Sequence, residues 1–331
     1  MADTAIEWAD RVWNPNTGCD RVSPGCDHCY AMTMAKRLKG MGQAKYQRDG
    51  DPRTSGPGFG VSVHPDALDL PLKWRKPQRI FVNSMSDLFH DEVPSEYIAK
   101  VFAVMAFAER HTFQVLTKRH ARMRSLLNAD YFRTAVLENL AGLSEDRAAR
   151  FAAPHWPLPN VWLGVSAENQ QWADIRIPPL LDTPAAVRFV SAEPMLGPID
   201  LHTDPIEAGS PFWGSQLDWC ITGGESGPGA RPAHPDWFRS IRDQCQSAGV
   251  AYLHKQHGEY VEALDPRPSD RWLTGEGTTH DEPWHPGQVG APAGKWSPYR
   301  DVVMRRVGKH RAGRELDGRT WDGYPKAVTH A

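Results

Sequence analysis

Six times between residues 79 and 256 an apolar run rich in β-branched and aromatic residues stops at a polar cluster. The runs are RIFVNSM (79–85), TFQVLTKR (112–119), NVWLGVSAEN (160–169), AAVRFVSAEP (185–194), LDWCITGGESG (217–227) and VAYLHKQ (250–256). Helical sequence separates most of them. Between Ser95 and Arg110, Ile98, Val101, Phe102, Met105 and Ala106 recur at three and four, one buried helix face, with Ser95 as the expected N-cap. A second helix is expected over Asp236–Ala248, closed by Gly249. Strands alternating with helices predict parallel β/α architecture, because parallel neighbours need a crossover and a helix supplies it. With Ala5–Trp13 as a first strand, the expected fold is α/β, a partial parallel (β/α) barrel of about six to seven strands.

The polar clusters carry the functional expectation. They are Ser84-Met85-Ser86-Asp87, Thr117-Lys118-Arg119, Ser166-Ala167-Glu168-Asn169, Ser191-Ala192-Glu193, Gly223-Gly224-Glu225-Ser226 and Lys255-Gln256. In parallel β/α barrels the active site lies at the carboxyl ends of the strands, so these residues are expected to converge on one pocket. Any single strand ends in polar loop residues. Ordinary loop chemistry is a weaker account of six such ends, of which Asp87, Glu168, Glu193 and Glu225 bring carboxylates to four.

Ahead of the first repeat lies WNPNTGCDRVSPGCDHCY, residues 13–30, with Cys19, Cys26 and Cys29 in C-x6-C-x2-C spacing. Pro15, Gly18, Pro24 and Gly25 favour turns, so an irregular loop can bring the sulfurs together, and AMTMAKRL after Tyr30 reads as a helix. Grouped thiolates select zinc or an iron–sulfur cluster. Four thiolates would close such a site, whereas three leave one iron of a four-iron cluster open to a small molecule. Zinc completed by His28 or a distant histidine, and a disulfide with one free thiol, are the other readings.

The chain has 331 residues, Lys+Arg 38 against Asp+Glu 40, and a formal charge of −2. No global basic field draws it to nucleic acid, so such contact requires a local patch. No run is long and apolar enough for a membrane span, and the acidic N-terminus lacks the apolar core of a signal peptide. Three of five cysteines in one loop fit a reducing cytoplasm better than a disulfide framework. Cys220 falls in a strand run, and Cys245 shares a helix face with Trp237 and Ile241, so both are expected to be structural. Some of the 13 tryptophans are expected to line a cleft, and most to be core or loop anchors. Residues 1–257 are expected to form the barrel with its cysteine loop. Residues 258–331 are expected to be an irregular Gly/Pro/Trp-rich insertion and a basic segment packed on it. In that segment Arg305–Arg319 holds six Lys/Arg and two acids, ordinarily a solvated surface.

These stretches, with SMSDLFHDEVP, VRFVSAEPMLGPIDL, CITGGESGPGARPAHPDWFRSIRDQC, HKQHGEY and VGKHRAGRELDG, resemble a phage and bacterial family of three-cysteine-motif proteins of unknown function. The match runs from near residue 7 to residue 325. More distantly the layout is similar to the radical S-adenosylmethionine superfamily, in particular its spore-photoproduct-lyase-like branch. There the usual spacing is C-x3-C-x2-C, and a GGE-type element follows the second strand. Here SMSD occupies that place, and Gly223-Gly224-Glu225 comes about four strands later.

The resemblance implies a radical enzyme. Cys19, Cys26 and Cys29 would bind a [4Fe–4S] cluster that generates a 5′-deoxyadenosyl radical from S-adenosyl-L-methionine. Tyr30, Ser84, Ser86, Asp87, Lys118, Ser166, Glu168 and Asn169 are the cofactor-binding candidates. Arg119, Glu193, Glu225 and Lys255 are the substrate-pocket candidates. A nucleobase, nucleotide or nucleic acid is the expected substrate, with an external electron donor and a partner protein as expected associates. The alternative is a zinc-stabilised nucleic-acid-binding phage protein without catalysis, its basic tail on phosphates.

Overall fold

The computed structural model describes residues 4, 6–144, 156–202, 213, 216–277, 279–280 and 299–326. The strands in chain order are β1 (Arg11–Trp13), β2 (Asn16–Thr17), β3 (Ser62–Val63), β4 (Arg79–Val82), β5 (Thr112–Thr117), β6 (Val161–Ser166) and β7 (Val187–Ala192). They continue with β8 (Trp219–Gly223), β9 (Ala251–Gln256), β10 (Tyr260–Glu262), β11 (Arg271–Leu273), β12 (Thr279–His280) and β13 (Val302–Arg306).

Seven strands form one parallel sheet in the order β1-β4-β5-β6-β7-β8-β9. Successive sheet strands are neighbours, and the order never reverses. That is the topology of a partial (β/α) barrel; a doubly wound sheet reverses at a switch point. The fold class expected from the repeats is therefore the observed one, and each of the six apolar runs holds one strand of this sheet.

By compactness the chain divides into two units. One holds the chain through Ser166 and the segment Arg176–Phe189; the other holds Ala167–Ile175 and Val190–Pro325. The division differs from the expected boundary at residue 257.

In the first unit Val82, Val115 and Leu163 are buried, and β4, β5 and β6 pair in register through Val82↔Val115 and Val115↔Leu163. Strands buried on both faces read as near-continuous apolar runs, as these do. Gly164 permits close packing on this sheet: an added Cβ would stand 2.4 Å from the Phe189 ring. The helix Ser95–Phe107 covers the strands with Ile98, Val101, Phe102 and Met105, all buried. Its N-cap is Pro94; Ser95, the expected cap, is its first residue. A proline there has no N–H to leave unpaired. Helical sequence after β5 forms His120–Leu127 and Asp130–Leu143, and its expected continuation to Phe151 lies outside the described residues.

In the second unit the helix Pro235–Ala248 buries Trp237, Phe238, Ile241 and Cys245. Gly249 closes it at φ 71°, the left-handed cap its sequence predicts. Cys220 is buried in β8, so both outlying cysteines are core residues. The segment expected to be an irregular insertion instead contributes a four-stranded sheet, β10-β13-β11-β12, whose pairs are antiparallel. Its strands are two to five residues long, too short for alternation to stand out among Gly and Pro. Residues 278 and 281–298 of that segment lie outside the described residues.

Candidate functional site

The cysteine loop follows β1 and is fastened to the end of β4 by a set of hydrogen bonds, among them the following. The Gly18 N–H donates to the Met85 carbonyl at 3.1 Å, and the Ser86 hydroxyl to the Asn16 carbonyl at 2.7 Å. The Tyr30 hydroxyl donates to the Ser84 carbonyl at 2.6 Å. Asn83 Nδ2 donates to Asn16 Oδ1 at 2.5 Å, and Asn16 Nδ2 to the Asp87 carbonyl at 3.3 Å. Behind the sulfurs, helix α1 (Tyr30–Gly40) buries Ala31 and Ala35, one turn apart, in a cluster with Phe59 and Met85. Cys19 and Cys29 pack against that cluster. Small residues on this face let the loop lie close to the helix.

Between these parts lies a cavity of about 130 Å³. Cys19, Cys26 and Cys29 line it together with Tyr30, Asn83, Ser84, Ser86, Asp87, Thr117, Lys118 and Ser166. Its apolar wall includes Met32, Phe59, Phe81 and Leu116. The carboxyl ends of β4, β5 and β6 and the loop after β1 thus meet in one place. Nine of the fifteen residues singled out in the sequence line it, and among the described residues the lining contains no fourth cysteine and no histidine.

Burial, with the Asp87 charge, pushes the Cys19 thiol well above its ordinary range, and the neighbouring thiols add to this; only the Arg119 guanidinium opposes it. A thiolate at Cys19 therefore needs positive charge beside it, which a metal centre supplies. Among the described residues, Asp20, His90 and Glu92 are the one trio of such ligand groups with atoms all within 4.8 Å of one another. The sulfurs of Cys19, Cys26 and Cys29 do not all lie within 4.8 Å of one another.

That trio is a hydrogen-bonded brace. His90 Nδ1 accepts from the Glu92 N–H at 3.2 Å, so Nε2 carries the proton and donates to Asp20 Oδ2 at 2.9 Å. The Thr54 hydroxyl donates to Asp20 Oδ1 at 2.5 Å. In this tautomer neither ring nitrogen offers a lone pair to a cation.

Asp87 is buried and saturated. Its carboxylate accepts from the Thr117 hydroxyl at 2.7 and 2.9 Å, the Phe89 N–H at 2.9 Å and the Lys118 N–H at 3.0 Å. It ties the end of β4 to the end of β5, and to an incoming molecule it offers charge more than a free acceptor. The sequence reading missed Asn83. This residue is 4% exposed, holds φ at 67° and lines the cavity. Its Nδ2 is engaged, and its buried Oδ1 has no hydrogen-bond partner. Flipping the amide would set two oxygens against each other at Asn16, so the network fixes its orientation. Left-handed backbone in a non-glycine residue at a strand end was the only available signal, and it is visible only in the fold.

The remaining candidates are placed otherwise. Arg119 adjoins the lining, and its charge reaches Cys19. Glu168, Asn169, Glu193, Glu225 and Lys255 belong to the second unit. There Asn169 Oδ1 accepts from the Trp172 N–H at 3.3 Å, capping the helix Gln170–Leu181. Lys255 Nζ pairs with Glu193 at 2.7 Å. Glu225 is held by the Arg231 guanidinium at 2.6 and 2.9 Å and by its N–H at 2.8 Å. Glu168 is fully buried. The basic tail is likewise engaged: Arg305 with Asp265 and Asp270, Arg306 with Glu259, Arg314 with Asp322.

Fold and cavity define a β/α partial-barrel protein with a three-thiol pocket at the carboxyl ends of its strands. The chain belongs to the family described as protein of unknown function (DUF5131), whose model matches residues 3–325. No curated protein and no solved structure matches it.

Proposed function

We propose that the chain is a radical S-adenosylmethionine enzyme. One observation carries this reading: three cysteines from a single loop line one cavity with the ends of three parallel strands, and among the described residues no fourth cysteine or histidine joins them. Cys19, Cys26 and Cys29 would hold a [4Fe–4S] cluster with one iron left open. When bound, that cluster supplies the electron that turns S-adenosylmethionine into a 5′-deoxyadenosyl radical. The chain's own residues bind and orient. Asn83 Oδ1 is the acceptor for the amino group of the cofactor's methionine end. The Ser84 and Ser86 hydroxyls are turned toward Asn14 and Asn16 and give the wall its shape. Met32, Phe59, Phe81 and Leu116 exclude water from the reacting centre. Within this reading the substrate is a nucleobase or nucleotide, an external donor supplies the electron, a partner protein assists, and the compartment is a reducing cytoplasm.

One observation weighs against a zinc-stapled nucleic-acid-binding protein: the internal pairing of the tail arginines. Anaerobic reconstitution with iron and sulfide, then S-adenosylmethionine and dithionite, is the test. Four irons per chain and 5′-deoxyadenosine by mass are expected. Cys19→Ala, Cys26→Ala and Cys29→Ala should each lose the cluster, whereas Cys220→Ala and Cys245→Ala should keep it. Stoichiometric zinc with no iron uptake would sink the reading.

A further inference from the structure

Arg119 follows Thr117 and Lys118 at the end of β5. Thr117 and Lys118 line the thiol cavity, and the Arg119 N–H is fixed by the Thr117 hydroxyl at 2.8 Å. Its guanidinium is only partly exposed, and its Nε is buried without a hydrogen-bond partner. Among the described residues that guanidinium has no ion pair and no acceptor. Other arginines of the same unit do find partners. Arg79 is paired with Asp10, Arg110 with the carbonyls of Pro71, Leu72 and Trp74, and Arg122 with the carbonyls of His90 and Val93. Withdrawing a guanidinium from water without giving it an acceptor costs free energy, so such a group is kept where an acceptor arrives with a ligand.

We propose that Arg119, with Lys118 beside it, is the receptor for a phosphate group on the molecule that enters this cavity, which makes the substrate a nucleotide rather than a free base or nucleoside. The inference rests on the preceding section only in taking the cavity as a ligand site. The planar fork of arginine matches phosphate oxygens two at a time, and lysine adds a point charge. The guanidinium offers several N–H donors in one plane, and a phosphate offers more acceptor oxygens to them than a lone carboxylate does. The Asp87 carboxylate accepts from the Thr117 hydroxyl and from the Phe89 and Lys118 N–H groups and makes no hydrogen bond or ion pair with Arg119.

The test is calorimetric titration of the anaerobically purified full chain with each of the four 2′-deoxynucleoside 5′-monophosphates. Each is compared with its own nucleoside, and inorganic phosphate and L-methionine are titrated separately. At least one monophosphate is expected to bind tenfold or more tighter than its nucleoside. Arg119→Gln should abolish that preference, and Arg119→Lys should retain part of it. Circular dichroism of both variants should match the parent. Equal binding of nucleotide and nucleoside, no binding of any monophosphate, or a preference unchanged in Arg119→Gln would overturn the proposal. So would a loss confined to L-methionine, which would assign Arg119 to a carboxylate. Iron is counted in the same samples: a protein without iron that still prefers the monophosphate supports this inference while removing the cluster.

Discussion

Asn83 and Asp87 lie four residues apart on one cavity wall, and their hydrogen bonding assigns them opposite roles. Asp87 is saturated from within, whereas Asn83 keeps one acceptor unused. A sequence shows that a carboxylate ends a strand; it does not show whether Thr117 and two backbone N–H groups have already claimed it. Glu193 and Glu225 repeat the point with Lys255 and Arg231. The cysteines were legible because ligand spacing within one loop survives without knowledge of the fold. Asn83→Gly separates strain from recognition. Glycine accepts φ 67° freely, so the lost bond to Asn16 should cost only about 1–2 kcal/mol of stability. Affinity for S-adenosylmethionine should fall tenfold or more, with iron content unchanged. Unaltered affinity in an equilibrium titration would remove Asn83 from the binding role.

Among elements, the cysteine loop depends on close backbone approach. Gly18 holds φ at 89°, and a Cβ there would lie 2.4 Å from the Gly60 carbonyl oxygen. The same residue donates its N–H to Met85, beside which Ser86 bridges to it. Gly18→Ala is therefore expected to shift the loop that carries Cys19 and to cost more than about 2 kcal/mol. Iron retention should drop although no ligand has changed. Gly40→Ala at the end of α1, where nothing lies within 4 Å, should leave both properties at the parent values. Iron counts and thermal melts of the two variants decide it; a Gly18→Ala protein that binds iron normally would show that the approach is dispensable. Six strands of the main sheet were readable because each lies in an apolar run, most of these separated by helical sequence. The second sheet was not. Its β12 has two residues and its β10 and β11 three each, and such lengths carry no period.

At the scale of the molecule, six histidines share one electrostatic condition. Burial holds His64, His111 and His120 in the first unit, and His234, His254 and His257 in the second, below the ordinary imidazole value. His254 is fully buried; its Nδ1 lies 3.0 Å from the Thr222 hydroxyl, and its Nε2 has no hydrogen-bond partner. In the unfolded chain these rings titrate near pH 6.5. Just below that pH the unfolded state takes up protons that the folded state refuses, so stability must fall as the pH falls. The carboxylates held low by partners, such as Asp10 by Arg79, act at lower pH, because an unfolded aspartate titrates near 3.9. The two effects therefore occupy separate windows. A thermal midpoint recorded from pH 7.5 downward should stay level to about pH 6.5 and then decline through pH 5.5, before aspartate protonation contributes. A midpoint that stays flat to pH 5 would mean that the folded protein accepts these protons without penalty, and that the buried rings are reached by water or by an acceptor when charged.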